Sequence, residues 1–348
     1  MQKQAVHRPV TMLFYLILII MLIGSIVIGV SIGSVNIPIR EVLQIIYSKI
    51  TNSPLPESIN PNDSNIILQI RLPRVLLAGL VGASLAISGA AFQGLLRNPL
   101  ADPYTLGISS GASVGAVITI FFHFTIPFLG PLTLPIVSIL FAFLTMLIVI
   151  FFAKKLDKSL RVETIILTGI VFSSFLGALI SLMIALTGEE LRQIIGWLLG
   201  SVSMRGWKYV FLLLPFFLLG SLILFVHARE LNVLSFGEVQ AQHLGVNVQT
   251  KKMIIMIAGS ILTGAAVAVS GTIGFVGLVI PHFVRLIIGP NHYHLLPASL
   301  LVGASFLILA DLFARTIIAP VELPIGVITA LIGAPVFAII LMRQRLRG

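Results

Sequence analysis

Few side chains in this 348-residue sequence have the types and spacing that catalysis needs. His292 and His294 in PNHYHLLP are metal-ligand types, but no carboxylate or third ligand stands near them, so we expect a solvated loop. The glycine-rich GTIGFVG (271–277) lacks the lysine of a phosphate-binding loop. Cysteine is absent, which removes disulfides and thiolate metal sites. We therefore predict no catalytic residue, no metal site and no cofactor.

Arginines beside apolar runs are more informative. Arg71 and Arg74 lie in RLPR, directly before a long apolar run, and Arg315 follows Asp311 by one helical turn. These arginines could reach lipid headgroups, as interfacial arginines often do. They could also form a docking surface for carboxylates of an external protein, and Asp311 with Arg315 could be a structural ion pair.

The stretch AFQGLLRNPLADPYTLG (91–107) is a polar, proline-broken segment between two apolar runs. Asn98 and Asp102 are side chains that cap free backbone groups in turns. Pro99 and Pro103 would end one helix and begin the next. We predict a turn between two membrane spans with a structural or coupling role.

The composition identifies a membrane protein. Hydrophobic residues make up 57% of the chain and charged residues 10%, whereas soluble domains carry about 25% charged residues. The first apolar run, 11–30, is too long for a cleavable signal peptide and has no cleavage site after it, so we expect a retained helix. The apolar runs predict about ten spans, near 10–34, 72–95, 105–124, 131–153, 163–186, 207–228, 253–270, 274–289, 295–314 and 324–342.

The net charge of +10 comes from basic residues that lie between the apolar runs. Most of them fall on the side that carries the N-terminus, so the positive-inside rule predicts that both termini are cytoplasmic. No continuous basic face is present, which argues against nucleic-acid binding. We predict a multi-pass protein of the cytoplasmic membrane, in direct contact with the lipid bilayer.

Two short segments repeat one pattern. GASLAISG (82–89) returns as GAAVAVSG (264–271), 182 residues later, and Pro281 follows Pro99 at the same offset. The predicted spans carry the two copies in opposite directions, which is typical of the inverted repeats of transporters. Small residues also recur in any tightly packed membrane helix, so the repeat is a hypothesis.

The longest polar segment on the N-terminal side, 229–252, predicts two short helices. Gly237 separates them, and Gly245 is a candidate C-terminal cap of the second. Such a helix pair could rest on the membrane surface or insert into a cytoplasmic partner. The residues alone leave both alternatives open.

Four long motifs resemble one known family. They are residues 71–113, LSFGEVQAQHLGV (234–246), SGTIGFVGLVIPHFVR (270–285) and residues 310–341. Together the chain resembles the permease subunits of ABC importers for iron chelates and cobalamin along most of its length.

The resemblance implies an all-α, ten-helix, inverted-repeat fold of the type II importer class, with residues 1–348 as one permease domain. It implies a dimer with a second permease chain, identical or related, two copies of an ABC ATPase, and a substrate-binding protein outside. The chain itself would not be an enzyme. Iron–siderophore cargo is favoured by the family's breadth, haem and cobalamin stay open, and the runner-up is a stand-alone ion-coupled secondary transporter.

The resemblance also implies roles for individual residues. Arg71, Arg74 and Arg315 would face acidic residues of the binding protein. The coupling helices would contact the ATPase through Leu234, Phe236, Glu238, Gln240, His243, Leu244 and Gly245. By analogy, the fifth and tenth spans would line the pathway with the polar side chains of Thr168, Ser173, Ser174 and Thr329.

Overall fold

The structure, a computed structural model, describes residues 7–33, 35, 37–56 and 59–345. The two chain ends, 1–6 and 346–348, to which the orientation prediction refers, lie outside these residues. The described chain is helical and contains no β-strand, as the all-α prediction requires. Its α-helices are α1 (His7–Ser31), α2 (Ile39–Thr51), α3 (Pro61–Asn65), α4 (Leu72–Leu95), α5 (Ile108–Phe121), α6 (Thr133–Leu156), α7 (Val162–Leu186), α8 (Leu191–Leu198), α9 (Trp207–Val226), α10 (Ala228–Ser235), α11 (Glu238–His243), α12 (Val248–Ser270), α13 (Val276–Ile288), α14 (His292–Thr316) and α15 (Ile325–Arg345).

The membrane-spanning elements agree with the predicted spans. Within the described residues, seven helices are long and apolar enough to cross a bilayer, and three shorter apolar helices, α5, α13 and α15, bring the number to ten. The predicted second span begins earlier than expected, because α3 and a π-helical turn, Ile66–Arg71, lead directly into α4. Pro73 explains the wider turn, since it has no N–H and its ring clashes with a regular preceding turn.

Helix α4 forms the centre of the bundle, between α12 and α14. The Ser88 and Thr263 hydroxyls are 3.0 Å apart, so α4 and α12 touch at the repeated motifs. Gly82 lies so close to α14 that an added Cβ would be 2.2 Å from the Gly303 carbonyl oxygen. Small residues therefore allow backbone contact where a hydrophobic force between helices is lacking.

The repeated motifs occupy antiparallel helices. Along α4, Ser88 contacts Thr263 and the later Phe92 contacts the earlier Gly259, so the two copies run in opposite directions. Pro99 and Pro281, which stand at the same offset as the repeated motifs, lie in different local structures. Pro99 lies in a turn after α4, whereas Pro281 lies inside α13, which continues through it instead of breaking.

The continuity of α13 through Pro281 has a local cause. A proline inside a helix leaves the carbonyl four residues earlier, here Gly277, without its usual donor. Gln93 of α4 points its amide nitrogen at this site, 2.9 Å from the Leu278 carbonyl oxygen and 3.5 Å from that of Gly277. A buried polar side chain thus compensates a broken backbone ladder at membrane depth.

The bundle has two ends, which we name by their short helices. At the α10 end, the Tyr15 hydroxyl of α1 donates to the His294 carbonyl, 3.2 Å away, and α10 packs beside α14. At the α3 end, α15 begins with the Ile325 N–H donating to the Gly200 carbonyl, 3.0 Å away. Helix α1 therefore starts, and α15 finishes, at the α10 end.

Candidate functional site

The turn between α4 and α5 lies at the α10 end and has the predicted capping contacts. The Asn98 side-chain oxygen accepts from the Leu100 N–H at 2.9 Å, and that of Asp102 accepts from the Tyr104 N–H at 3.0 Å. Arg97 is exposed and has a left-handed backbone, φ +48°. The polar residues of this turn therefore satisfy its backbone, as the sequence indicates.

This turn is also tied to the second half of the chain. The Tyr104 hydroxyl donates to the Ile273 carbonyl at 2.7 Å and accepts from the Ile273 N–H at 3.1 Å. Burial raises the pKa of Asp102 to about 6, although the hydrogen bond from the Tyr104 N–H lowers it. Burial and the nearby Asp102 carboxylate likewise raise the pKa of Tyr104.

The coupling segment forms the two predicted helices, α10 and α11. Gly245 has φ +79°, its N–H donates to the Gln242 carbonyl at 2.9 Å, and the Val246 N–H donates to the Ala241 carbonyl at 3.0 Å. These two bonds form a Schellman motif, which favours glycine at the left-handed position. The prediction that Gly245 ends the second helix is confirmed.

The surface of this helix pair is apolar where it is most exposed. Phe236 is 74% exposed, Val239 62% and Leu244 68%. Gln240 and His243 are exposed beside them. Large apolar side chains left exposed on one short segment are typical of an interaction site. We call Phe236, Val239 and Leu244 the apolar coupling surface; Val239 was not among the predicted contact residues, although it lies in the same motif.

Two predicted contact residues point inward instead. Leu234 is buried in the core. Glu238 pairs with Lys252 of α12, whose ammonium is buried and also donates to the Leu160 carbonyl at 2.9 Å. Both side chains therefore anchor the helix pair to the bundle. This ion pair was not predicted, because Lys252 reads as one more solvated lysine in the sequence.

At the α3 end, the arginines predicted to dock a binding protein are buried. Arg71 donates to the carbonyls of Val30, at 3.0 Å, and Ser31, at 2.8 Å, and also to that of Val35. These are acceptors at and after the end of α1, where a helix leaves its last carbonyls unpaired. Arg71 thus caps α1 from a neighbouring element.

Arg74 is held by two carboxylates. Its guanidinium donates to Asp311 of α14 at 2.9 to 3.1 Å and to Glu322 at 2.8 and 3.1 Å. Asp311 is fully buried, while the Glu322 side chain is 39% exposed. Burial raises the pKa of Glu322, but hydrogen bonds from Arg74 and Ser203 outweigh it and the pKa lies below its usual value.

Arg315 completes this charge cluster, which we define as Arg71, Arg74, Asp311, Arg315 and Glu322. Its Nε is 3.6 Å from an Asp311 carboxylate oxygen, and a second nitrogen donates to the Gly29 carbonyl of α1. The structural ion pair considered for Asp311 and Arg315 is present. All three guanidinium groups are engaged inside the chain, so their docking role stays a prediction.

The predicted pathway residues differ in exposure. The hydroxyls of Thr168 and Thr329 are bonded within their own helices, to the Thr164 carbonyl at 2.7 Å and the Gly326 carbonyl at 3.1 Å. Ser173 packs toward the protein, and Ser174 is exposed on α7. Of the four, Ser174 is exposed, Ser173 is half-buried, and the two threonines are buried.

The histidine pair is not in a solvated loop, contrary to the expectation. His292 begins α14 and is buried, with the Asn232 side-chain oxygen 2.7 Å from its N–H and 2.9 Å from its Nδ1. His294 contacts Tyr15. No group of three or more histidines and acids with the spacing of a metal site occurs among the described residues. Leu295 and Leu296, which follow the pair directly and are buried, were the available signal that this segment is not a loop.

An α-helical bundle with about ten spans and a surface helix pair defines a polytopic membrane protein. Residues 18–343 match the model of the FecCD transport family, and the chain belongs to this family. It is an ABC importer permease, embedded in a membrane, from a family that works with ATPase and substrate-binding partners.

Individual relatives support this assignment. The chain is 60% identical over 324 residues to the uncharacterized ABC transporter permease protein YvrB of Bacillus subtilis, covering 93% of this chain and 92% of the relative. It is 38% identical over 334 residues to the molybdate import system permease protein MolB of Haemophilus influenzae, covering 95% and 96%. An inward-facing metal-chelate type ABC transporter has a similar structure, with a TM-score of 0.80, 37% identity and coverage of 94% and 97%. Other homologues are permeases for cobalamin, haemin and ferric dicitrate.

Proposed function

We propose that this chain is the permease subunit of an importer that moves iron–siderophore complexes across the cytoplasmic membrane. Two copies of a separate ABC ATPase bind at the α10 end, which faces the cytoplasm together with both termini. A substrate-binding protein delivers cargo at the α3 end. Residues 1–348 act as one permease domain and pair with a second permease chain, and ATP hydrolysis belongs to the ATPase.

The apolar coupling surface is the observation that carries this proposal. Phe236, Val239 and Leu244 are exposed at a bundle end, yet the helices that bear them are fixed by the Schellman turn and by the Glu238–Lys252 pair. Rigid apolar side chains lose little conformational entropy when a partner covers them. An ATPase groove that receives the helix pair would couple its closure to the bundle.

The cargo proposal rests on the range of the relatives. Permeases named for ferric dicitrate, haemin and cobalamin favour a large metal chelate. Haem and cobalamin are the alternative cargoes proposed from the sequence. The relative named for molybdate import makes a small oxyanion a further alternative. A large chelate needs a wide, weakly binding path, and the hydroxyl-bearing residues Thr168, Ser173, Ser174 and Thr329 of α7 and α15 would line it.

The exposure of α7 supports the pathway proposal in part. Only 17% of the residues in the most apolar part of α7 are buried. Most of the surface of this helix is therefore available to the second permease chain, the lipid or the path. Ser174 is the residue to test first. Its replacement by cysteine should react with a water-soluble thiol reagent in at least one transport state, and protection in every state would remove it from the path.

Binding-protein docking through Arg71, Arg74 and Arg315 is retained as a proposal with an added condition. Each guanidinium would have to exchange an internal acceptor for a carboxylate of the partner. Arg74 is best placed for this, because Glu322, one of its two acidic partners, is partly exposed. An arginine released to the rim in this way would set the encounter rate more than the affinity.

A stand-alone secondary transporter is the second candidate class. Such transporters use membrane-embedded carboxylates to couple to protons or sodium. Asp311 is a buried carboxylate within a spanning helix, but Arg74 and Arg315 neutralise it from two sides. This pairing favours the ABC importer.

The test is ATP hydrolysis by the chain and its ATPase in proteoliposomes. The binding protein is added after loading, in turn, with ferric hydroxamate, ferric catecholate, haem, cobalamin or molybdate. We expect stimulation by a ferric siderophore. Stimulation by another cargo only would replace iron–siderophore as the proposed substrate. Failure of the chain to bind the ATPase would contradict the proposal that it is an ABC importer permease.

A further inference from the structure

A cleft at the α10 end is not used by the proposed function. Its volume is about 350 Å³, and it lies between the end of α4, α10, α13 and the start of α14. Arg97 and Arg285 contribute two guanidinium groups to its wall, beside Gln93, His282 and His292. The cleft is thus rich in donors.

The positive charge of the cleft is not neutralised. Among the described residues, no aspartate or glutamate forms an ion pair with Arg97 or Arg285. Arg71, Arg74 and Arg315 at the α3 end, in contrast, are bonded to acceptors of the chain. Two unpaired guanidinium groups on one cleft are complementary to a phosphate or carboxylate.

One buried polar atom in the wall also lacks a partner. The Gln93 Oε1 makes no hydrogen bond, and Gln93 is 2% exposed. Buried groups of this kind are usually satisfied by a ligand or water. Gln93 Oε1, an acceptor, requires a hydroxyl or ammonium donor.

An apolar groove borders the same helix, α13, one turn before the cleft. It has a volume of about 260 Å³ between α1, α13, α14 and α15, with Val279, Phe283 and Val336 in its wall. Leu286, in the cleft, follows Phe283 and Val279 at the spacing of one helix face. Phe283 and Leu286 are exposed. The donor-rich cleft and the apolar groove therefore border neighbouring turns of α13.

We propose that this combined site binds an anionic phospholipid of the leaflet at the α10 end. Its phosphate lies between Arg97 and Arg285, a headgroup hydroxyl donates to Gln93 Oε1, and an acyl chain fills the groove. Phosphatidylglycerol has all three features. A free phosphate would leave the groove empty, and a protein carboxylate would leave the groove and the Gln93 acceptor unused.

The experiment measures lipid binding to the full-length chain in detergent by native mass spectrometry. Phosphatidylglycerol should bind more tightly than phosphatidylcholine. Arg97→Gln and Arg285→Gln should each weaken phosphatidylglycerol by about fivefold, and the double variant by about thirtyfold. Lys154→Gln, an exposed basic position outside the cleft, is the matched control and should leave binding unchanged.

A second variant separates the lipid from other occupants. Val336→Trp fills the groove without touching either arginine, and it should weaken phosphatidylglycerol binding as well. Equal binding of both lipids, or complete competition by millimolar inorganic phosphate, would overturn the proposal. So would unchanged lipid binding in Arg97→Gln and Arg285→Gln together with weaker ATPase binding, which would assign the cleft to the protein partner.

Discussion

The two ends of the bundle use charged side chains for different purposes. At the α3 end, Arg71, Arg74 and Arg315 are buried and directed at acceptors of the same chain, so they hold α1, α4 and α14 together. At the α10 end, the Glu238–Lys252 pair fixes α11 to α12 and leaves apolar side chains exposed. Charged side chains therefore hold membrane helices together at the α3 end. At the α10 end they hold in place a helix pair whose exposed side chains are apolar.

This difference separates stability from partner binding. Removing one partner of a buried ion pair leaves an uncompensated charge in a medium of low dielectric constant. Removing an exposed apolar side chain costs the fold little but weakens the interface that it forms. Substitutions at the α3 end should therefore affect unfolding, and those at the apolar coupling surface should affect assembly.

The largest effect is expected for Asp311→Asn. This change leaves Arg74 and Arg315 without their shared buried carboxylate, and we expect it to lower the free energy of unfolding by about 3–5 kcal/mol. Thermal unfolding of the purified chain in detergent measures it. Glu322→Gln is the matched control at the exposed side of the same cluster, with an expected loss of about 1 kcal/mol or less. Equal losses in the two variants would contradict the asymmetry of the cluster.

A smaller loss is expected for Glu238→Gln at the α10 end. The neutral side chain leaves the Lys252 ammonium with only the Leu160 carbonyl as an acceptor, so the chain should lose about 1–3 kcal/mol of stability. The same unfolding assay applies, with exposed Gln240→Ala as the control. A Glu238→Gln chain that is fully stable but fails to bind the ATPase would make Glu238 a contact residue after all. Glu238→Arg is a poor test of coupling, because it places a second positive charge against Lys252.

An effect of similar size, confined to acidic pH, is expected at the turn between α4 and α5. The pKa of Asp102 is about 6 in the folded chain, against about 3.9 in an unfolded one. Between these values the folded state binds more protons, so this residue should make stability fall as pH rises from about 4 to about 6, by about 2 kcal/mol. Asp102→Asn keeps the acceptor for the Tyr104 N–H and should remove this contribution. An unchanged pH profile in that variant would show that folding does not raise the pKa of Asp102.

The sequence predicts the fold well, because span length, helix breakers and repeated small residues are local signals. The ten spans, the turn at Asn98 and Asp102, and the Gly245 cap all depend on neighbours within a few positions. The repeat further indicates that α4 and α12 run in opposite directions. These features need no knowledge of which helices touch.

The function of the charged residues depends on distant contacts and could not be read in the same way. Arg74 meets Glu322, 248 positions away along the chain, and Lys252 meets Glu238 only after α11 folds back on α12. Gln93 looks like part of a polar turn, yet it faces the backbone around Pro281. No single-sequence pattern distinguishes a buried arginine at a helix mouth from an interfacial one.

The affinity of the chain for its ATPase in nanodiscs tests the central claim most directly. In Phe236→Ala with Leu244→Ala, we expect the affinity to fall by about thirtyfold or more, while the unfolding midpoint stays within experimental error of the unmodified chain. Leu218→Ala, an exposed apolar position on the membrane helix α9, should leave the affinity unchanged. An unaltered affinity in the double variant would show that the ATPase does not bind at the apolar coupling surface.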